Sequence, residues 1–225
     1  MTADQTSEIR GWLLGFLATL AFLSVGLNLY LGWKVYGSKV LAFVGSFSSP
    51  APVTSADHVR WPGGAGTTVI IYSDFQCPFC RRLYGSLAAA HDKQPFMLVY
   101  RHFPLPGHPN AEQFAEASEC AADQGKFWEF ADALYAADPQ PKDAEGLSKM
   151  AASLGMDASS FAKCIGSPAA AAKVAHSRAE GEHLGIIGTP TYFVNGRRYQ
   201  GAGTEEQLRA LLSSAGAGSG FEKAP

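Results

Sequence analysis

Cys77-Pro78-Phe79-Cys80 is the group of residues best suited to chemistry. Two thiols two residues apart can close a small disulfide and hand it to another protein. They follow an apolar run, Thr68-Val69-Ile70-Ile71-Tyr72, and open a predicted helix from Pro78 to about Ala90. At such a strand-to-helix turn, free N–H groups of the first helical turn converge on the first sulfur. Their partial positive charge favours the thiolate, which is the attacking species in disulfide exchange. The competing reading of C-x-x-C is half of a zinc site. That site needs four ligands, commonly a second cysteine pair. The other two cysteines, Cys120 and Cys164, are too far apart in the chain to form one. The motif is therefore read as redox-active, and no metal is expected.

The elements that must position these thiols can be read along the chain. Thr67–Ser73 and Phe96–His102 are continuous apolar runs, as expected of strands buried on both faces. Helical patterns follow at Asn110–Asp123, Lys126–Tyr135, Asp143–Leu154, a short segment capped by Asp157, and Pro168–Leu184. Strand character returns at Thr191–Val194 and Arg198–Tyr199, joined by the hairpin signal Asn195-Gly196. Thr204 with Gln207 forms a capping box for a last helix through Leu212. This order predicts an α/β core interrupted by a helical insertion at about 104–185, too long and too periodic to be a loop.

The 225 residues allow one domain with appendages, and 47% hydrophobic residues suffice for a sizeable core. A net charge of −2 without a long basic run gives nucleic-acid binding no electrostatic support. Residues 1–10 form a polar tail. From Gly11 to Trp33 no residue is charged, and the stretch is long enough to span a bilayer as a helix. Trp12, Tyr30 and Trp33 lie near its ends, where aromatic side chains favour the interface. A cleaved signal peptide would have a shorter apolar core and a cleavage site after it. One uncleaved transmembrane anchor is therefore expected at 11–33, followed by a linker at 34–57, a folded domain at 58–214 and a disordered tail at 215–225. Arg10 before the span and Lys34 and Lys39 after it give a weak bias toward a cytoplasmic C-terminal side. Disulfide chemistry favours the opposite orientation.

The strand, the CPFC motif and the helix, together with the distant Gly188-Thr189-Pro190-Thr191-Tyr192-Phe193-Val194-Asn195-Gly196, resemble the thioredoxin fold. The long separation of Cys80 from Pro190, with Arg101-His102-Phe103-Pro104-Leu105 and Gln124-Gly125-Lys126-Phe127-Trp128-Glu129-Phe130, narrows the resemblance to DsbA-like thiol–disulfide oxidoreductases. It covers about residues 65–212. The fold implied is a thioredoxin-like α/β fold with an inserted helical subdomain, preceded by one N-terminal transmembrane helix. The resemblance makes Cys77 the exposed nucleophile, Cys80 the buried resolving thiol and Pro190 the cis-proline facing the motif, with Thr189 before it. Pro78 and Phe79 would tune the site. Where DsbA has histidine, this chain has Phe79, which cannot stabilise a thiolate with its side chain. At Ile71, six residues before Cys77, many relatives of this fold carry a buried acid. Asp74 is the nearest acid, solvated or not, and Arg81 and Arg82 either replace the histidine's charge or face solvent. A milder oxidant than DsbA is expected.

Cys120 and Cys164 admit three readings: a structural disulfide as in some family members, two buried thiols, or a second redox relay. The disulfide is the expectation. Its loop would be worth about 4 kcal/mol in the chain-entropy model. His102 and His108 are read as structural. The resemblance implies a thiol–disulfide oxidoreductase that needs no cofactor beyond its own disulfide. It would most directly be a dithiol oxidase, with an isomerase, a reductase or a thiol metallochaperone as alternatives. Implied partners are reduced or misoxidised protein substrates and a quinone-linked membrane reoxidant of the DsbB or VKOR type. A monomer is expected, anchored in the bacterial inner membrane with its catalytic domain on the periplasmic side.

Overall fold

The computed structural model describes residues 26–28, 30–31, 49–63 and 66–217. Residues 1–48 and 49–225 are separate units. In the first, 26–28 and 30–31 are helical. Most of the anchor expected at 11–33 lies outside the described residues. Among the described residues no helix is long and apolar enough to cross a membrane.

The second unit is built on five strands: β1 (His58–Arg60), β2 (Thr68–Ser73), β3 (Met97–His102), β4 (Thr191–Val194) and β5 (Arg197–Gln200). They lie in the order β1-β3-β2-β4-β5. β2 and β3 are parallel and joined by α1 (Pro78–His91), whereas every other pairing is antiparallel. Between β3 and β4 come α2 (Ala111–Ala122), α3 (Phe127–Ala136), α4 (Ala144–Ser153), α5 (Ala158–Cys164) and α6 (Pro168–His183). α7 (Glu205–Ala217) closes the unit.

The central strands are apolar throughout because both faces are covered. Val69 and Ile71 of β2, Leu98 and Tyr100 of β3, and Tyr192 and Val194 of β4 enter one core with Leu83 and Leu87 of α1 and Leu208 of α7. The alternate residues Ile70, Tyr72, Val99 and Phe193 enter a second core with Phe103 and Ile186, the period of two that a pleated strand imposes. α6 reaches this second face at Gly181. A Cβ there would stand 2.6 Å from the Phe103 ring and 3.2 Å from that of Tyr72, so glycine permits the close approach.

Helix starts follow local chemistry. Asp143, Asp157 and Ser167 cap α4, α5 and α6 with side-chain oxygens. Thr204 and Gln207 exchange the two bonds of a capping box. Asn195 and Gly196 both take positive φ, the turn such a hairpin needs. α1 differs: Pro78 occupies its first turn, and its N-cap, Cys77, offers no side-chain cap bond.

Three features were not expected. One is the strand β1, since three residues of mixed polarity carry no periodicity. Another is that the compact unit starts at Ser49, inside the expected linker. The end of the expected linker is tied to it through Arg101, which donates to Asp57 Oδ1, the Ala51 carbonyl oxygen, Glu180 and the Tyr72 hydroxyl. Residues 215–217, expected in a disordered tail, belong to α7.

Candidate active site

The two thiols stand where β2 ends and α1 begins. The turn is set by Asp74, whose carbonyl oxygen accepts from Cys77 N–H at 3.1 Å. Its backbone N–H donates to Cys80 Sγ at 3.5 Å. The Asp74 carboxylate is buried, which corrects the option of a solvated acid. It accepts from Gln76 N–H (2.7 Å), Leu105 N–H (2.9 Å) and His108 Nδ1 (2.6 Å). It thereby fastens the active-site turn to the segment that follows β3. His108 is structural in this sense.

Cys77 and Cys80 are both free thiols. Contrary to the expectation of an exposed nucleophile, Cys77 is only 3% exposed and Cys80 1%. The loop before β4 accounts for this. The Thr189–Pro190 peptide bond is cis, and Cys77 Sγ donates to the Thr189 carbonyl oxygen at 3.4 Å. Phe79 turns outward, 51% exposed. Neither arginine takes the place of a histidine: Arg81 donates to the Ala137 carbonyl oxygen, and Arg82 lies over the Phe79 ring.

The two sulfurs differ sharply in acidity. Cys77 is lowered to about 5. A hydrogen bond from the Cys80 thiol contributes most, opposed by burial and supported by the Cys80 N–H, Thr189 and the Phe79 N–H. The sulfur thus stands at the N-terminus of α1, where the first-turn N–H groups favour its charge without forming a cap bond. Cys80 moves the other way, well above an ordinary thiol, because burial and the neighbouring Cys77 both disfavour its charge. A thiolate beside a protonated, buried thiol is the arrangement that disulfide exchange requires.

Cys120 of α2 and Cys164 at the end of α5 are joined by a disulfide. They pin two insertion helices together. A cluster that spacing did not reveal lies on β1, β3 and α2. His58 Nε2 (2.6 Å) and His102 Nε2 (2.8 Å) both meet Glu119 Oε1. Their ligand-type atoms lie within 4.8 Å of one another, as a cation site would require. The Lys173 ammonium stands 3.5 Å from the other Glu119 oxygen. Burial opposes the Glu119 charge, but the two imidazole bonds outweigh it and hold the carboxyl well below its usual range. The carboxylate is thus already compensated by hydrogen bonds and an ammonium, which makes the cluster a structural tie between sheet and insertion.

A thioredoxin family model matches residues 57–214. Among solved structures, a thioredoxin-like oxidoreductase from Silicibacter pomeroyi is 27% identical, with a TM-score of 0.66 over 74% of this chain and 95% of that one. Two further structures share the fold. Wolbachia pipientis alpha-DsbA1 is 19% identical, with a TM-score of 0.64 over 74% of this chain and 93% of that one. Oxidised BdbD from Bacillus subtilis is also 19% identical, with a TM-score of 0.65 over 76% and 98%. Among curated proteins, Na(+)/H(+) antiporter NhaA 3 of Salinispora tropica is 38% identical over 161 residues, 71% of this chain. The chain spans only 24% of that relative's length.

Proposed function

As this chain belongs to the thioredoxin family and is a DsbA-like thiol–disulfide oxidoreductase, we propose that it works in the oxidising direction, as a dithiol oxidase for protein substrates. The carrying observation is the N-cap position of Cys77, whose thiolate is stabilised only in the reduced enzyme. Whatever favours the reduced enzyme makes its disulfide a stronger oxidant. A substrate thiolate attacks Cys77 Sγ, and the Cys77–Cys80 bond breaks with its electron pair on Cys80. A second substrate thiolate then attacks the substrate sulfur of the mixed disulfide and releases Cys77 as a thiolate. The substrate leaves oxidised and the enzyme is left as a dithiol. A Cys77 pKa of about 5 lies between the roughly 7 of thioredoxin and the roughly 3.5 of DsbA, which supports an oxidant milder than DsbA.

Two exposed apolar side chains lie close in sequence to Cys77 and to Thr189, whose carbonyl oxygen meets the sulfur. Phe79 follows Cys77 by two positions, and Ile187, 90% exposed, precedes Thr189 by two. An unfolded segment could lie against both while its backbone pairs beside Pro190.

The uncharged stretch at 11–33 and the Cys120–Cys164 disulfide support a protein anchored in the bacterial inner membrane that faces the periplasm. Reoxidation there would fall to a quinone-linked membrane partner of the DsbB or VKOR type, kept close by the anchor. The test combines two measurements. Oxidised enzyme should form disulfides in a reduced, unfolded protein, with Cys80→Ser trapping mixed disulfides through Cys77. In the cell the pair should be mostly oxidised. A pair that is mostly reduced in the cell would overturn the oxidase reading in favour of an isomerase or reductase.

A further inference from the structure

Attack on the enzyme's disulfide leaves an electron pair on Cys80, a sulfur shut away from water. A donor already stands beside it: the Asp74 backbone N–H, 3.5 Å from Cys80 Sγ. A fixed dipole aimed where charge develops is effective because it need not reorganise during the reaction. Whatever holds this N–H in place therefore bears on the rate.

The sheet does not hold it. Asp74 is the first residue past β2, whose ladder with β3 ends at Ser73 and His102. The Asp74 side chain does so instead. Its carboxylate is completely buried and is gripped from two sides. Gln76 N–H donates to Oδ1 at 2.7 Å, closing the turn on itself. Leu105 N–H and His108 Nδ1 meet Oδ2 at 2.9 and 2.6 Å, tying the turn to the segment between β3 and α2. That segment is itself ordered. His108 N–H donates to the Leu105 carbonyl oxygen, and Asn110 N–H donates to the Gln76 side-chain oxygen at 2.6 Å. Since the Asp74 carbonyl oxygen also accepts from Cys77 N–H, one residue sets the backbone at both cysteines.

We propose that His108 is a positioning residue for disulfide exchange: through the Asp74 carboxylate it holds the Asp74 N–H against Cys80 Sγ, where the leaving-group charge develops. Leu105 and Gln76 hold that carboxylate through backbone N–H groups, which almost any residue could supply. His108 holds it through a side chain, so its identity matters. The imidazole is 28% exposed, and core packing alone gives it little reason to be there.

In the step itself, the substrate thiolate bonds to Cys77 Sγ, and the Cys77–Cys80 bond breaks with its pair on Cys80. The Asp74 N–H meets the new charge without moving. The proton that Cys80 finally takes up balances the one the substrate thiol released to solvent. A leaving thiol of lower pKa leaves faster, so the acidity of Cys80 and the rate of opening should change together.

The proposal rests on the disulfide-exchange reading, and its test separates the two. Opening of the disulfide by dithiothreitol is timed at pH 7. In a Cys77→Ser background the titration of Cys80 is followed through its ¹³Cβ shift. His108→Ala should raise the Cys80 pKa by about 0.5 to 1 unit and slow opening by about three- to tenfold, part of the loss of one hydrogen bond to a charge. His108→Asn, whose amide N–H can stand in for Nδ1, should restore both. A merely structural role would lower thermal stability and leave the titration in place. The proposal is overturned if His108→Ala leaves the titration and the rate within about twofold of wild type. It is equally overturned if opening slows while the titration stays, since the change would then lie in access to Cys77. If His108→Ala does not fold, Asp74→Asn, which keeps the size of the side chain, is read in the same way. A wild-type enzyme whose disulfide does not open with dithiothreitol would instead remove the exchange reading itself.

Discussion

The ionised Cys77 should control how the reduction potential of the CPFC pair changes with pH. With its pKa at about 5 and that of Cys80 well above an ordinary thiol, the reduced enzyme at pH 7 carries one thiolate and one thiol. Reduction therefore takes up one proton for two electrons. The potential should fall by ~30 mV per pH unit between pH 5 and pH 8.5, whereas two protons would give ~59 mV. Below pH 5 Cys77 also takes up a proton, and the slope should double. The ionisation also sets the size of the effect. At pH 7, two units above the pKa, it stabilises the folded reduced form by roughly 3 kcal/mol. That makes the disulfide more oxidising by about 60 mV than an un-ionised pair would be. The sign for stability follows from the same shift. The folded pKa lies below the unfolded value of about 8.5, so the contribution is complete above pH 8.5. It declines as pH falls and is lost through pH 5. The oxidised protein has no such term. The assay equilibrates the protein with dithiol redox buffers from pH 4 to 8.5 and counts thiols by alkylation and mass. A slope near 59 mV per unit from pH 6 to 8, with no break near 5, would refute the N-cap account of Cys77.

Two further predictions concern the scaffold. Gly181→Ala places a Cβ within 2.6 Å of the Phe103 ring and near that of Tyr72, so it should lower unfolding free energy by about 1–3 kcal/mol as overpacking does; denaturant titration showing no loss would mean that α6 can move off the sheet freely. Replacing Cys120 and Cys164 together by serine opens a loop of 44 residues and should lower stability by about 4 kcal/mol in the chain-entropy model, while the potential of the CPFC pair stays within ~10 mV; a larger change in potential would place the second pair in the redox reaction.

What could be read from the sequence was local. The CPFC turn, its helix, the capping boxes and the Asn195-Gly196 hairpin each declare themselves within a few residues, because the physics that fixes them is a turn, a cap or a proline. The missing pieces are pairings across the fold. β1 exists because His58, Val59 and Arg60 pair with Tyr100, Val99 and Leu98, and nothing in His-Val-Arg announces that. Glu119 meets His58 and His102 from a separate helix, so no spacing rule places all three together. The family resemblance made Cys77 an exposed nucleophile and brought Pro190 to the motif, but how closely the Thr189 carbonyl oxygen meets the sulfur depends on the packed fold.

The same limit explains the reading of Ile71. A sequence without an acid at that position invites the conclusion that Cys80 has no polar support. The strand geometry corrects it. The Asp74 N–H, in the turn just past the strand, donates to Cys80 Sγ, so the buried thiol has a polar partner. Ser73, on the face of Ile71, bonds the Tyr135 hydroxyl, which in turn meets that of Tyr100. Both tyrosines lie on other elements and look like ordinary core aromatics, as their rings indeed pack with Phe75. A carboxylate at Ile71 would add a charge to a site where Cys80 already resists one.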